Sequence, residues 1–178
     1  ITPDSPHTGY GYIKRGDSIG AGEVQAFTVD KFCEKPDAKT AATYLAEGNY
    51  FWNSGIFVLN AHTFIDEIAA LDPAILKAAR ASLALAADDL GFLRLDRDSF
   101  SASPNISVDY AVMEKTKAAA MLPIDVGWND VGSWSSLWEI APKDAHGNHA
   151  QGDSVLEDTS GCYVHSERGL VATIGVED

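Results

Sequence analysis

Short apolar runs of strand length alternate with helical patterns along most of this chain, and this alternation constrains its fold most. Apolar runs predict strands over residues 23–34, 53–59 and 121–126. Residues 1–22 carry too many glycines and prolines for any regular period and are predicted to be a loop. Helices are predicted where a capping residue precedes apolar residues at helical spacing, which occurs at Asp37, Asn60, Asp72 (with Pro73) and Ser107. A short helix is also predicted over residues 133–140, which are rich in tryptophan and leucine. The alternation indicates an α/β fold.

The pattern changes near the end of the chain. From Gly147 onward, short β-prone pieces are separated by Gly, Asp and Ser turns. We therefore expect a boundary near Lys143, with an α/β part over residues 1–142 and the start of a β-rich appendage over residues 143–178.

The charge of the chain limits its partners. Its 13 basic and 26 acidic residues give a net charge of −13. Because nucleic acids and anionic membranes would repel such a chain, neither is expected as a partner. No apolar stretch approaches the ~20 residues that a membrane helix needs, and no secretory signal is visible. The cysteines, Cys33 and Cys162, lack metal-site spacing, which favours a cytoplasmic location.

The chain starts at Ile1 without a methionine and stops at Asp178 without an obvious terminator. These ends predict that it is a piece of a longer protein and that part of a site lies elsewhere.

Glu34-Lys35-Pro36 follows the first predicted strand. The carboxyl ends of strands in α/β sheets are common ligand sites. A lysine there suits a phosphate, and a glutamate can accept hydrogen bonds from sugar hydroxyls. A solvated ion pair at a turn is the alternative.

Two further segments combine glycine with polar or aromatic residues. Asn53 offers a donor and an acceptor, and Gly55 would let a ligand approach the backbone. Gly11 lies between Tyr10 and Tyr12 and could form the floor of a sugar pocket. An ordinary turn is the alternative for each segment, and it is favoured when the segment is taken alone.

Residues 125–134 lie between a predicted strand and a predicted helix. An aspartate in this position, Asp130, could hold Mg²⁺, which prefers one or two carboxylates together with phosphate oxygens. Alternatively, Asp130 only starts the helix. Trp128 and Trp134 are expected in the core.

Asp109 and Lys115 are predicted on one helix, six positions apart, so their side chains point about 240° apart. Only Asp109, near the helix start, could reach a ligand beyond that end. Its alternative role is to complement the helix dipole.

Five blocks together resemble the sugar-1-phosphate nucleotidyltransferases, and specifically the bacterial mannose-1-phosphate guanylyltransferases, in order and spacing. They cover residues 7–13, 32–36, 51–57, 107–115 and 127–134. The resemblance also extends to the form in which a mannose-6-phosphate isomerase domain follows. It implies a Rossmann-like mixed sheet flanked by helices, seen here without its first nucleotide-binding strands. Cys33 replaces the family's usual valine, and the family's glycine-rich nucleotide loop and upstream metal aspartate are absent.

The resemblance implies transfer of GMP from GTP to mannose 1-phosphate, within GDP-mannose and polysaccharide biosynthesis, with Mg²⁺ as cofactor. Lys35 would bind the sugar phosphate, Glu34 and Asn53 the mannose hydroxyls, and Asp130 the metal. Gly11, Gly55, Asp109 and Lys115 are assigned to the substrate pocket. We expect Lys35 and Asp130 to be catalytic, the chain alone to be inactive, and its exposed sheet edge to favour a homodimer.

Two other functions fit the same residues. One is a nucleotidyltransferase for another sugar, such as glucose 1-phosphate with UTP or dTTP. The other is a noncatalytic sugar-phosphate sensor, against which the presence of Asp130 argues.

Overall fold

The computed structural model describes residues 1–20 and 25–178. Residues 21 and 22 of the predicted loop and residues 23 and 24 of the predicted strand lie outside the described residues. The chain forms two compact units, Ile1–Val126 and Gly127–Asp178. The predicted boundary at residue 143 stays a prediction, and the two compact units divide earlier in the chain.

The first unit contains both helices and strands. Its elements are β1 (Tyr12–Ile19), β2 (Ala26–Cys33), α1 (Ala38–Glu47), β3 (Tyr50–Trp52), α2 (Ala61–Leu71), α3 (Pro73–Ala84), β4 (Ala87–Asp89), β5 (Phe92–Arg94), α4 (Arg97–Ser101), a π-helical turn (Asp109–Met113) and β6 (Ala120–Met121). The α/β class predicted from the sequence is confirmed.

The main sheet has the strand order β3-β1-β2-β6, and each neighbouring pair is antiparallel. Tyr12, the first residue of β1, pairs with Cys33 at the end of β2 and with Trp52 at the end of β3. The polar residues that follow β2 and β3 are therefore brought together at one end of these strands, on either side of Gly11, which precedes β1. We call this end of the strands the sheet edge.

An aromatic cluster lies between this sheet and α1. Tyr12 is fully buried, and its ring lies 5.5 Å from that of Tyr44 on α1. Tyr44 in turn stacks on Tyr50 at 3.8 Å. Burial of such large rings contributes strongly to stability, so the cluster fixes the sheet edge against α1.

Four of the predicted helices form where the sequence places them. Asp37 accepts a hydrogen bond from the Thr40 amide, and Gly48 ends α1 with a left-handed φ of 71°. Asn60 caps α2, and Pro73 is the first residue of α3, although Asp72 makes no side-chain cap. Ser133 caps α5 (Trp134–Ile140). Capping is a local interaction, which explains this agreement.

Two predictions about strands are wrong. Residues 12–19 form β1 within the predicted loop, because pairing with β2 overrides the local glycine signal. The predicted strand over residues 53–59 is irregular, and the strand at this point is Tyr50–Trp52. β1 begins at Tyr12, opposite Trp52, so among the described residues pairing beyond Trp52 is limited to one backbone bond, from the Asn53 amide to the Gly11 carbonyl.

Two further elements are shorter than predicted. The strand expected over 121–126 is the two-residue β6. The helix expected after Ser107 is a single π-helical turn that ends at Met113, so Asp109 and Lys115 do not share a helix. The backbone carbonyl of Ser107 accepts a hydrogen bond from the Ala111 amide at 2.9 Å. Ser107 therefore precedes the turn without capping it through its side chain.

The second unit contains α5 and four strands, β7 (His149–Gln151), β8 (Ser154–Glu157), β9 (Tyr163–His165) and β10 (Val171–Ile174). β7 pairs with β9 and β8 with β10, and both pairs are parallel. Buried Asn148 donates to the Thr159 carbonyl and accepts from the Cys162 amide, which ties the turns together. The short β-strands expected in this part of the chain are present.

Among the described helices, none has the length and apolar character needed to cross a membrane.

Candidate active site

Glu34, Lys35 and Asn53 lie at the sheet edge where β2 and β3 end, and Gly11 lies between them. The strand register dictates this arrangement, because both strands end opposite Tyr12. The Asn53 amide donates to the Gly11 carbonyl at 2.7 Å, so the backbone pairing continues one step past β3. Four of the residues predicted for the site are thus brought together.

Gly11 is a contact point between the neighbouring side chains. A Cβ added at Gly11 would overlap Oε2 of Glu34 and lie 3.2 Å from Cβ of Asn53. Its φ lies outside the left-handed region, so the backbone itself does not require glycine. Glycine is needed here for space.

Glu34 is a buried carboxylate with one free oxygen. Its side chain is only 8% exposed. Oε1 accepts a hydrogen bond from Nζ of Lys35, whereas Oε2 is buried and has no hydrogen-bond partner among residues 1–20 and 25–178. An acceptor left unpaired in this way is costly, and it indicates a site for a donor group from a ligand.

Lys35 supplies the positive charge of the site. Its side chain is 59% exposed, so its ammonium is open to solvent on one side. The hydrogen bond to Glu34 is the main cause that raises the pKa of Lys35, and the nearby Tyr110 and Asp109 act in the same direction. Lys35 therefore stays charged at neutral pH. The alternative of a solvated ion pair at a turn describes only part of this geometry, because the Glu34 carboxylate of the pair is buried.

The π-helical turn adds two carboxylates to this edge. Oδ1 of Asp109 accepts from Nδ2 of Asn53 at 3.0 Å, and Oε1 of Glu114 accepts from the backbone amide of Glu34 at 3.0 Å. Asn53 also accepts from the Gly55 amide at 3.0 Å, which fixes its side-chain orientation. Asp109 therefore has a partner at the sheet edge.

Gly55 and Lys115 differ in their relation to this cluster. Gly55 has a left-handed φ of 72° and open space around its Cα, as a backbone contact with a ligand would require. Lys115 is exposed, and within the described residues its side chain makes no hydrogen bond or ion pair. The assignment of Lys115 to the pocket stays a prediction.

Sequence reasoning missed Glu114. Glu114 was hidden because the local pattern predicts a longer α-helix, in which residues five positions apart face about 140° apart. Only the i to i+5 closure of the turn, the Glu114 amide to the Asp109 carbonyl at 2.9 Å, brings both carboxylates to one side. No local signal in the sequence marks that closure.

Asp130 belongs to the second unit and lies on a strained loop. Val131 has a φ of 50°, which a β-branched residue rarely adopts. Asn129 forms the turn by accepting from the Val131 amide at 2.8 Å, and Ser133 caps α5. Asp130 therefore neither forms this turn nor caps the helix.

The Asp130 carboxylate is exposed and, within residues 1–20 and 25–178, makes no hydrogen bond or ion pair. A Cβ added at Gly132 would lie 2.6 Å from its Oδ2, so Gly132 leaves room for the carboxylate.

Trp134 is 78% exposed, which corrects the expectation that it is a core residue. It faces solvent because α5 begins at this residue and its apolar positions come later.

The family model described as nucleotidyl transferase matches residues 1–147. The chain belongs to the nucleotidyl transferase family. The whole chain is 49% identical to mannose-1-phosphate guanylyltransferases of Salmonella montevideo and Escherichia coli K12, and covers 38% and 37% of those proteins. A crystal structure named mannose-1-phosphate geranyltransferase, from Thermus thermophilus, is 33% identical. It superimposes with a TM-score of 0.75 over 99% of this chain and 49% of that one.

These similarities confirm the family and fold that the five sequence blocks predicted. The chain spans less than two fifths of the length of the two relatives. The family model covers Gly11, Glu34, Lys35, Asn53 and Asp130 alike.

Proposed function

We propose that the protein containing this chain is a mannose-1-phosphate guanylyltransferase, which converts GTP and mannose 1-phosphate to GDP-mannose and pyrophosphate. The buried, unpartnered Oε2 of Glu34 beside the Lys35 ammonium carries the proposal. This pair suits a ligand that presents hydroxyl donors and a phosphate together. The names of the two bacterial relatives favour mannose and GTP.

In this proposal the sheet edge holds the sugar phosphate. Oε2 of Glu34 accepts a hydrogen bond from a sugar hydroxyl, and the remaining donor capacity of Asn53 Nδ2 serves another. Lys35 faces the phosphate, and Gly11 and Gly55 let the sugar lie against the backbone. Asp109 holds the Asn53 amide in the required orientation.

The reaction is a displacement at phosphorus. A phosphate oxygen of mannose 1-phosphate bonds to the α-phosphorus of GTP, the bond from that phosphorus to the α–β bridging oxygen breaks, and pyrophosphate leaves with the electron pair. Such displacements depend on positioning and charge neutralisation more than on covalent participation of the protein. Lys35 would orient the attacking phosphate and offset part of its charge.

Asp130 would hold Mg²⁺. Its exposed carboxylate has the hard oxygen donors that this ion prefers, with phosphate oxygens and water completing the coordination. The described residues contain no group of three or more metal-ligating side chains, so within them Asp130 is proposed as a single protein ligand. When bound, Mg²⁺ would neutralise charge on the phosphates.

The setting of this activity is also proposed. A biosynthetic enzyme that uses GTP would act in the cytoplasm, and its product would enter polysaccharide synthesis. For this chain on its own, we also propose association with a second copy through exposed apolar side chains such as Val58, which is 99% exposed.

The test is pyrophosphate release by the complete protein that contains this chain, with GTP and Mg²⁺. Mannose 1-phosphate and glucose 1-phosphate are compared as acceptors. Preference for mannose 1-phosphate supports the proposal, and preference for glucose 1-phosphate or for UTP moves the protein to another nucleotidyltransferase specificity. A lack of pyrophosphate release with every pair of sugar phosphate and nucleotide would instead favour the noncatalytic sensor.

Variants then test the residues. Lys35→Ala should sharply reduce turnover, whereas the control Lys39→Ala removes an exposed lysine from α1 and should not. Asp130→Ala should abolish turnover at ordinary Mg²⁺ concentrations. Near-normal rates in either site variant would remove that residue from the site.

A further inference from the structure

We infer that Glu114 is a positioning residue, whose carboxylate fixes the backbone at the end of β2 and thereby the Glu34–Lys35 pair. Its functional consequence rests on the proposed function. The observation that carries it is the 3.0 Å hydrogen bond from the Glu34 amide to Oε1 of Glu114, between residues 80 positions apart in the chain.

The end of β2 needs such support. β2 and its pairing with β1 end at Cys33, so the amide of Glu34 is the first one beyond the ladder. The next residue, Lys35, has a left-handed φ of 47°, which is uncommon for a residue with a side chain. The chain therefore leaves the sheet through an unfavourable conformation just where it carries the two charged groups of the site.

The π-helical turn supplies the support. Its closure, from the Glu114 amide to the Asp109 carbonyl, brings the residues at its two ends to the same side. Asp109 then holds the side chain of Asn53, and Glu114 holds the backbone of Glu34. One local irregularity thus anchors both strand ends that flank Gly11, and π-helical turns are often found at functional sites.

The anchor acts on binding more than on the chemical step. Glu114 contacts the backbone amide, and the Glu34 side chain makes its own bond to Lys35. When the anchor is lost, both side chains remain but their common backbone moves. Since both side chains are still present and hold the sugar phosphate before and during reaction alike, we expect KM to change more than kcat.

The experiment compares Glu114→Ala with Glu114→Gln in the complete protein, with Glu47→Ala as an exposed glutamate control on α1. Glutamine keeps a side-chain oxygen that can accept from the Glu34 amide. We expect the alanine variant to raise KM for mannose 1-phosphate about tenfold. The glutamine variant and the control should stay within about threefold of the unchanged protein.

Amide hydrogen exchange provides a readout that needs no substrate. Exchange at Glu34 and Lys35 should be faster in Glu114→Ala than in the unchanged protein, and restored in Glu114→Gln. Unchanged exchange in the alanine variant would overturn the inference, as would faster exchange without any rise in KM. If the glutamine variant fails like alanine in KM while its exchange is normal, Glu114 acts through its charge and the positioning role is refuted.

A failure of the proposed function can be distinguished from a failure of the inference about Glu114. If the unchanged protein fails to release pyrophosphate with every sugar phosphate tried, the exchange measurement alone decides whether Glu114 anchors the end of β2.

Discussion

Replacement of Gly11 by alanine tests the geometry of the sheet edge most directly. The added Cβ would overlap Oε2 of Glu34 and lie 3.2 Å from Cβ of Asn53. Because the φ of Gly11 lies outside the left-handed region, alanine adds no backbone strain. The perturbation is therefore steric, and the Glu34 carboxylate must move out of its buried position.

The size of the effect follows from what that carboxylate would do. A hydrogen bond to a charged group contributes about 1.5–3 kcal/mol, which corresponds to a loss of about 10- to 140-fold in kcat/KM for mannose 1-phosphate. The assay is pyrophosphate release by the complete protein at saturating GTP, with thermal unfolding measured in parallel.

Gly16→Ala, in the strand that begins directly after Gly11, is the matched control. A Cβ at Gly16 would overlap Oγ1 of Thr28 and lie 3.2 Å from the Thr28 carbonyl oxygen, away from the site. It should lower the unfolding temperature without selectively lowering kcat/KM. A folded Gly11→Ala variant with kcat/KM within about twofold of the unchanged protein would refute the role of Glu34 in binding the sugar.

Three further predictions concern the caps and the second unit. Hydrogen bonding to Thr40 lowers the pKa of Asp37 below 3.8, so its stabilisation is present above pH 3.8 and is lost as pH falls through the lower, folded pKa. Asp37→Asn keeps a cap that does not titrate, and acid unfolding followed by circular dichroism should be less steep. Val131→Gly relieves a left-handed φ of 50° and should raise the unfolding temperature by about 2–4 °C in a thermal melt. Gly132→Ala should displace the Asp130 carboxylate and raise the Mg²⁺ concentration needed for half-maximal turnover several-fold; an unchanged requirement would count against Asp130 as a metal ligand.

The helices were predictable because their signals are local. A cap such as Asp37 or Asn60 bonds to amides two or three residues away, and Gly48 ends α1 by its own conformation. Such interactions are present in the sequence itself. These local signals located the starts of α1, α2 and α3, whereas only the structure shows that Ser133, and not Asp130, caps α5.

The strands were less predictable because their partners are distant in sequence. Residues 12–19 show little alternation of apolar and polar residues, and Gly16 is typical of a loop. In the structure Gly16 lies in β1 and makes room for the Thr28 side chain of β2. Conversely, residues 53–59 are apolar enough for a strand, but the neighbouring strand β1 begins opposite Trp52 and offers them no partner strand. Strand formation depends on cross-strand pairing, which no single stretch of sequence contains.

The candidate site shows the same division. The family blocks located Glu34, Lys35, Asn53 and Gly11 individually, and the register of β1 with β2 and β3 explains why they meet. The contribution of Glu114 depends on a π-helical closure and could not be read from spacing.

The charges at the sheet edge explain how a chain with a net charge of −13 can suit an anionic ligand. Glu34, Asp109 and Glu114 provide three carboxylates, and Lys35 lies beside Glu34 with its ammonium partly open to solvent. A free phosphate would gain the attraction of Lys35 but would meet repulsion from the carboxylates. A sugar phosphate can place neutral hydroxyls against the carboxylates and its phosphate at the ammonium. Under the proposed function, the edge would therefore favour a ligand in which the hydroxyls and the phosphate are held apart.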